Sequence, residues 1–159
     1  MQPPIISGNG QITMPSYVVG APKVPFAYLG MAINFLIGAK ILSNETPGNA
    51  ISLAFLSAQA AECGLKAFLS RSGDDERLTK NPHLRHNLAA LWCLAAKEGL
   101  SIDKTPPPWL TVLSEAHCSP YALRYSKGIN GIQTPAPQPM GNELNALIKE
   151  VERQIEKNS

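Results

Sequence analysis

The chain has 159 residues, 44% of them hydrophobic and only 16% charged, against roughly 25% charged in an average globular protein. This excludes a charge-solvated disordered chain, and the length suits one domain with a single core that needs neither disulfides nor a structural metal. Fourteen Lys and Arg against twelve Asp and Glu leave a net charge of +2, which excludes the strong basic footprint of an obligate duplex-DNA binder but not local contact with nucleic acid.

The fourteen prolines are clustered, and the gaps between clusters mark helices because a helix interior excludes proline. Five prolines fall within residues 1–25, which read as an irregular proline- and glycine-rich arm. Over 26–46, Phe26, Leu29, Ile33, Leu36, Ile37, Ile41 and Leu42 recur at spacings of three and four, with Tyr28, Met31 and Phe35 covering much of the rest. A helix apolar nearly all round is expected to lie in a core. In 48–81 one stripe runs through Ile51, Phe55, Ala58, Ala61, Leu65 and Leu69 and a second through Leu53, Leu56, Ala60 and Ala67, so contact on two sides is expected. Glu62 and Lys66 lie four apart, a pairing worth a few tenths of a kcal/mol on an exposed face. Gly73 and the run Asp74, Asp75, Glu76 close this helix.

Asn81 before Pro82 predicts an N-cap followed by proline at the first helical position, with Leu84, Leu88, Leu91 and Ala95 as the buried stripe. Gly99 ends that helix; Thr105 and Pro106 to Pro108 start a short one carrying Trp109, Leu110 and Leu113, finished by Ser119 and Pro120. Residues 118–140 read as a long irregular loop, the kind of segment where function often sits. The last helix presents Leu144, Leu147, Ile148, Val151 and Ile155 on one face and Lys149, Glu152, Arg153 and Glu156 on the other. Four long helices with short links, plus one short helix, predict an all-α antiparallel four-helix bundle over 26–157, preceded by the arm at 1–25.

The apolar uncharged run 24–39 has 16 residues, short of the ~20 a membrane-crossing helix needs. Residues 1–22 contain no Lys or Arg, unlike a secretory leader. Cys63, Cys93 and Cys118 lie far apart with no C-x-x-C pair or zinc spacing. These features predict reduced thiols, a cytoplasmic location and no membrane association.

Three segments carry a family resemblance: QAAECGLKAFLS from Gln59, HNLAALW from His86 and LRYSKG from Leu123. In order and spacing they resemble the HEPN superfamily of helical bundles, over roughly residues 26–157. The resemblance implies a homodimer that acts as a metal-independent endoribonuclease or as a noncatalytic RNA- or partner-binding module; several prokaryotic members pair with a nucleotidyltransferase in toxin–antitoxin systems. The nuclease branch carries Arg, four to six residues, then His, near the start of the last bundle helix. After Arg124 the matching positions are Ile129, Asn130 and Gly131. Asn130 cannot shuttle a proton, so the resemblance implies a member without the nuclease's base.

Other candidates come from the residues themselves. Arg77 and His83 make a second Arg-to-His match, ahead of the third helix instead of the last, and would be the catalytic pair of the endoribonuclease alternative, together with Arg124 or His86 in the same roles. His83 and His86, three apart on one predicted turn, could reach one metal ion or phosphate; a third ligand is missing nearby, and His117 with Cys118 would join only if the fold brought them together. A surface or interface pair is therefore expected, with no metal and no cofactor. Arg85 and His86, beside Lys80 and Arg77, form the densest set of positive groups and a candidate phosphate-contacting patch. Arg124 and Tyr125 could clamp a phosphate and stack a base, or staple the loop to the bundle, with the structural role favoured for Tyr125. Trp92 and Trp109 belong to apolar faces. P-loop, dinucleotide-binding and nucleophile-elbow patterns do not occur. The expected function is thus a noncatalytic, dimeric HEPN-like module that binds RNA or a protein partner, a nucleotidyltransferase among the partners implied; the alternatives are the endoribonuclease and an unrelated helical adaptor.

Overall fold

A computed structural model describes residues 22–44, 49–125 and 131–157. Most of the predicted arm, and Asn130, lie outside them. The described residues form six helices and no strand: α1 Val24–Ser43, α2 Ala50–Leu69, α3 Glu76–Lys80, α4 Leu88–Lys97, α5 Pro108–His117 and α6 Pro137–Glu156. The described residues are all-α, as the proline spacing predicts.

α2 is the centre. It packs on α1, α6, α4 and α5, while α1 also meets α6 and α4 meets α5. Its composition permits this: Ala54, Ala58, Ala60, Ala61 and Ala67 are all buried, and short side chains let several neighbours approach one helix at once. At Gly64 the approach is closest, because the Cδ1 of Ile148 on α6 occupies the space a Cβ would need. The buried stripe of α6, Met140, Leu144, Leu147, Ile148, Val151 and Ile155, is the predicted apolar face extended by one turn.

α1 departs from expectation. Pro25, Leu29, Ala32, Leu36 and Ala39 form a single buried stripe, whereas Met31, Ile37 and Ile41 are about half exposed at 49%, 51% and 59%. The helix is 20 residues long, and by length and composition it reaches what a membrane crossing requires, more than the uncharged run alone suggested. Within the chain it lies against α2 and α6.

The third long helix is shorter than predicted. Residues 82–86 are turns, and the N-cap of α4 is Asn87, whose Oδ1 accepts from Ala90 N at 3.0 Å. Asn81 instead accepts locally from His83 N at 2.9 Å. Tertiary bonds decide the difference. In a helix begun at Pro82, the Arg85 carbonyl would accept from Ala89 N. Here Lys66 Nζ donates to that carbonyl at 3.0 Å and Ala89 N donates to Ser114 Oγ at 3.2 Å, so α2 and α5 hold the segment in turns. The two tryptophans are buried and their N–H groups satisfied, Trp92 by the Asp103 carbonyl at 2.7 Å and Trp109 by Glu143 Oε2 at 2.6 Å.

Candidate functional site

The turns at 82–86 press His86 onto α2, where it meets a carboxylate in the core. Glu62 lies on the inward side of α2 with only 6% of its side chain exposed. An ionised carboxylate at such depth is costly unless surrounded by donors, and three side chains supply them. Lys66, one turn along α2 and equally buried, donates to Oε1 at 2.5 Å; Nε2 of His117, the last residue of α5, meets Oε2 at 2.5 Å; Nδ1 of His86 lies 3.2 Å from both oxygens. Burial alone would raise the Glu62 pKa, but the His117 hydrogen bond and the Lys66 ammonium outweigh it and hold the carboxyl down at about 2. Glu62 is a carboxylate at any physiological pH.

The proton arrangement follows. His117 is fully buried, and its Nδ1 has no partner among the described residues. A proton on Nε2 with a bare Nδ1 serves Glu62 without creating a buried donor that lacks an acceptor. His86 is the solvent-facing member, with 22% of its side chain exposed. Burial lowers its pKa against the pull of Glu62, and Arg124 and Lys66 lower it further. Arg124 therefore lies within electrostatic reach of the imidazole.

The turn after α5 completes the site. Tyr121 has φ of 62°, a left-handed conformation that bulky residues seldom adopt. It is held there from several sides. Its carbonyl accepts from Arg124 N and Tyr125 N, its ring stands edge-to-face against His86 with centroids 5.6 Å apart, and the Arg124 guanidinium lies 5.9 Å above it. Leu123 N bonds the Ala116 carbonyl and ties the turn to α5. His86 in turn meets His117 edge-to-face at 5.8 Å. The result is a stack running from solvent inward: Arg124, Tyr121, His86, His117, Glu62.

Of the residues singled out in the sequence, His86 and Arg124 come together here. Arg85 contributes its carbonyl to Lys66, and its side chain is exposed with no partner among the described residues. Tyr125 is 63% exposed. That corrects the favoured structural role, since its ring does not staple the loop. The alternative pair is arranged differently: Arg77 is committed to Glu98 and to the Leu69 carbonyl, while His83 is exposed. His83 and His86 do not share a helical turn, because 82–86 is not helical. Glu62, Lys66 and His117 are the members that sequence reasoning did not assemble; Glu62 and Lys66 read as an exposed pair, although an Ala-rich helix apolar on two faces leaves little room for one. His117 does join His86, without Cys118, whose thiol contacts the Glu115 and Ser119 carbonyls.

Glu62, His86 and His117 also offer one metal-ligating atom each, all within 4.8 Å of one another. Compared with known proteins, the chain matches no family model, no curated protein and no solved structure.

Proposed function

We propose that this chain is a noncatalytic, HEPN-like helical module, built as a four-helix bundle and dimeric, which binds single-stranded RNA at the rim of the Glu62 cluster. The observation that carries this reading is the exposed Arg124 within electrostatic reach of His86, followed in the chain by the open ring of Tyr125, with the exposed Arg85 preceding His86; neither guanidinium has a carboxylate partner among the described residues. Guanidinium groups contact phosphates and aromatic rings stack unpaired bases. The buried network beneath supplies rigidity, since Glu62 holds the His86 and His117 rings and the Tyr121 turn that carries Arg124 packs against His86. The half-exposed Met31, Ile37 and Ile41 on α1 support dimerisation, and the free cysteines suit a cytoplasmic setting.

Labelled single-stranded RNA titrated with the protein is expected to bind with an affinity that falls steeply with salt, the slope being about 0.7 per phosphate contacted. Affinity independent of salt, or none, contradicts the reading and favours a protein partner, of nucleotidyltransferase type or otherwise. One observation favours the endoribonuclease alternative: His86 is accessible, oriented by a carboxylate and close to Arg124, the elements of a base and a phosphate-binding cation. If that alternative holds, its site lies at His86, because Arg77 is already paired. Incubation of total RNA in EDTA separates the two. Intact RNA is expected; cleavage that His86→Ala abolishes would establish the enzyme instead.

A further inference from the structure

The Glu62, His86 and His117 cluster has a capacity that RNA binding does not use. We infer that it is a binding site for a divalent transition metal of the zinc class, coordinated by Glu62 Oε2, His86 Nδ1 and His117 Nε2 and reached from the side of His86, the partly exposed member. The donor set, two imidazoles and one carboxylate, is one that zinc accepts with an open position. Three separate parts of the chain supply it: α2, the turns before α4 and the end of α5.

The geometry is close to what coordination requires. Zinc bonds to nitrogen or oxygen of about 2.0–2.1 Å place neighbouring tetrahedral ligands about 3.3 Å apart. His86 Nδ1 already lies 3.2 Å from Glu62 Oε2, and the 2.5 Å between Oε2 and His117 Nε2 needs to open by less than about 1 Å. Lys66 holds Oε1, so Glu62 binds through one oxygen while the other keeps the outer hydrogen bond that ligating carboxylates normally have. The same ammonium, and an unsupported N–H on His117, moderate the affinity. Coordination through Nε2 moves the His117 proton to Nδ1, which has no acceptor among the described residues. Loss of one such outer partner typically costs about ten- to a hundredfold in metal affinity.

The test uses the full chain without an affinity tag, stripped of metal and titrated with zinc chloride by calorimetry, with cobalt(II) as a spectroscopic probe. One equivalent per chain is expected, with a melting temperature that rises with zinc excess because the metal ties three segments together. His86→Ala, at the exposed edge of the cluster, is expected to weaken binding about tenfold or more, whereas His83→Ala leaves it unchanged. The cobalt spectrum of the wild-type protein is expected to show ligand-field bands without a thiolate charge-transfer band, and this readout does not depend on a variant folding. No binding, binding unchanged by His86→Ala, or a thiolate band in the cobalt spectrum would each overturn the assignment. RNA titrations in EDTA are independent of this outcome, so the two readings fail separately.

Discussion

Two carboxylates in this molecule each collect several hydrogen-bond donors, and they do so in opposite surroundings. Glu62 is buried in the core with Lys66, His86 and His117 around it. Glu98, at the end of α4, takes Arg71 and Arg77 at the surface, where those side chains also bond the Phe68, Leu69 and Glu98 carbonyls and Arg71 stacks on Phe68. Both groups have lowered pKa values, Glu98 chiefly through its hydrogen bond from Arg77. Their weight differs because solvent can replace a lost partner at Glu98 and cannot at Glu62. The surface cluster joins neighbouring elements; the buried one sets where the turns before α4 and after α5 lie, and with them the exposed Arg85, Arg124 and Tyr125.

The contrast can be broken from the inside first. Glu62→Ala leaves the Lys66 ammonium buried without its counter-charge and His117 without its acceptor, and is expected to cost about 3–5 kcal/mol, measured by urea unfolding in EDTA. A loss under about 1 kcal/mol would mean that solvent reaches the cluster freely. Acid titration sharpens the same point. The folded pKa of Glu62, about 2, lies below the ordinary 4.5, so its contribution is fully present above that value and is lost as the pH falls from 4.5 toward 2. The difference in melting temperature between wild type and Glu62→Gln is therefore expected to be largest above pH 5 and to shrink on acidification. A difference that grows toward acid would contradict the assignment. Trp109→Phe, which removes the N–H that Glu143 accepts, is expected to cost about 1 kcal/mol in the same urea experiment. Smallest is Glu98→Ala, expected at under about 1 kcal/mol and weaker still in high salt, as comparison of urea midpoints at two ionic strengths would show.

Much of the fold could be read locally, because proline and glycine punctuate it. The bounds of α1, α2, α5 and α6 fall within a few residues of where proline, glycine and apolar period place them, and Gly99, with φ of 99°, terminates α4 as expected. The start of α4 could not be read that way. Asn81 and Asn87 both carry the chemistry of a cap, and the choice is made by Lys66 and Ser114, which reach in from other helices. The same limit applies to the site. His86 and Arg124 stand out as polar groups in irregular segments, but Glu62 lies 24 residues from His86 and 55 from His117, separations at which no period or motif links side chains. Only the packing of α2 between its neighbours brings them together. Tyr125 shows the converse: a tyrosine beside an arginine reads as a staple, and its position in the turn fixed by Tyr121 leaves it open instead.

We propose that the rim around the buried cluster is a recognition surface and not a by-product of folding. Fluorescence anisotropy of a labelled single-stranded RNA with wild type and Arg124→Ala, each with its melting temperature recorded, tests it most directly. Binding by the variant is expected to be at least about tenfold weaker at an unchanged melting temperature. Equal affinity, or a loss of affinity that merely accompanies a loss of stability, would contradict it.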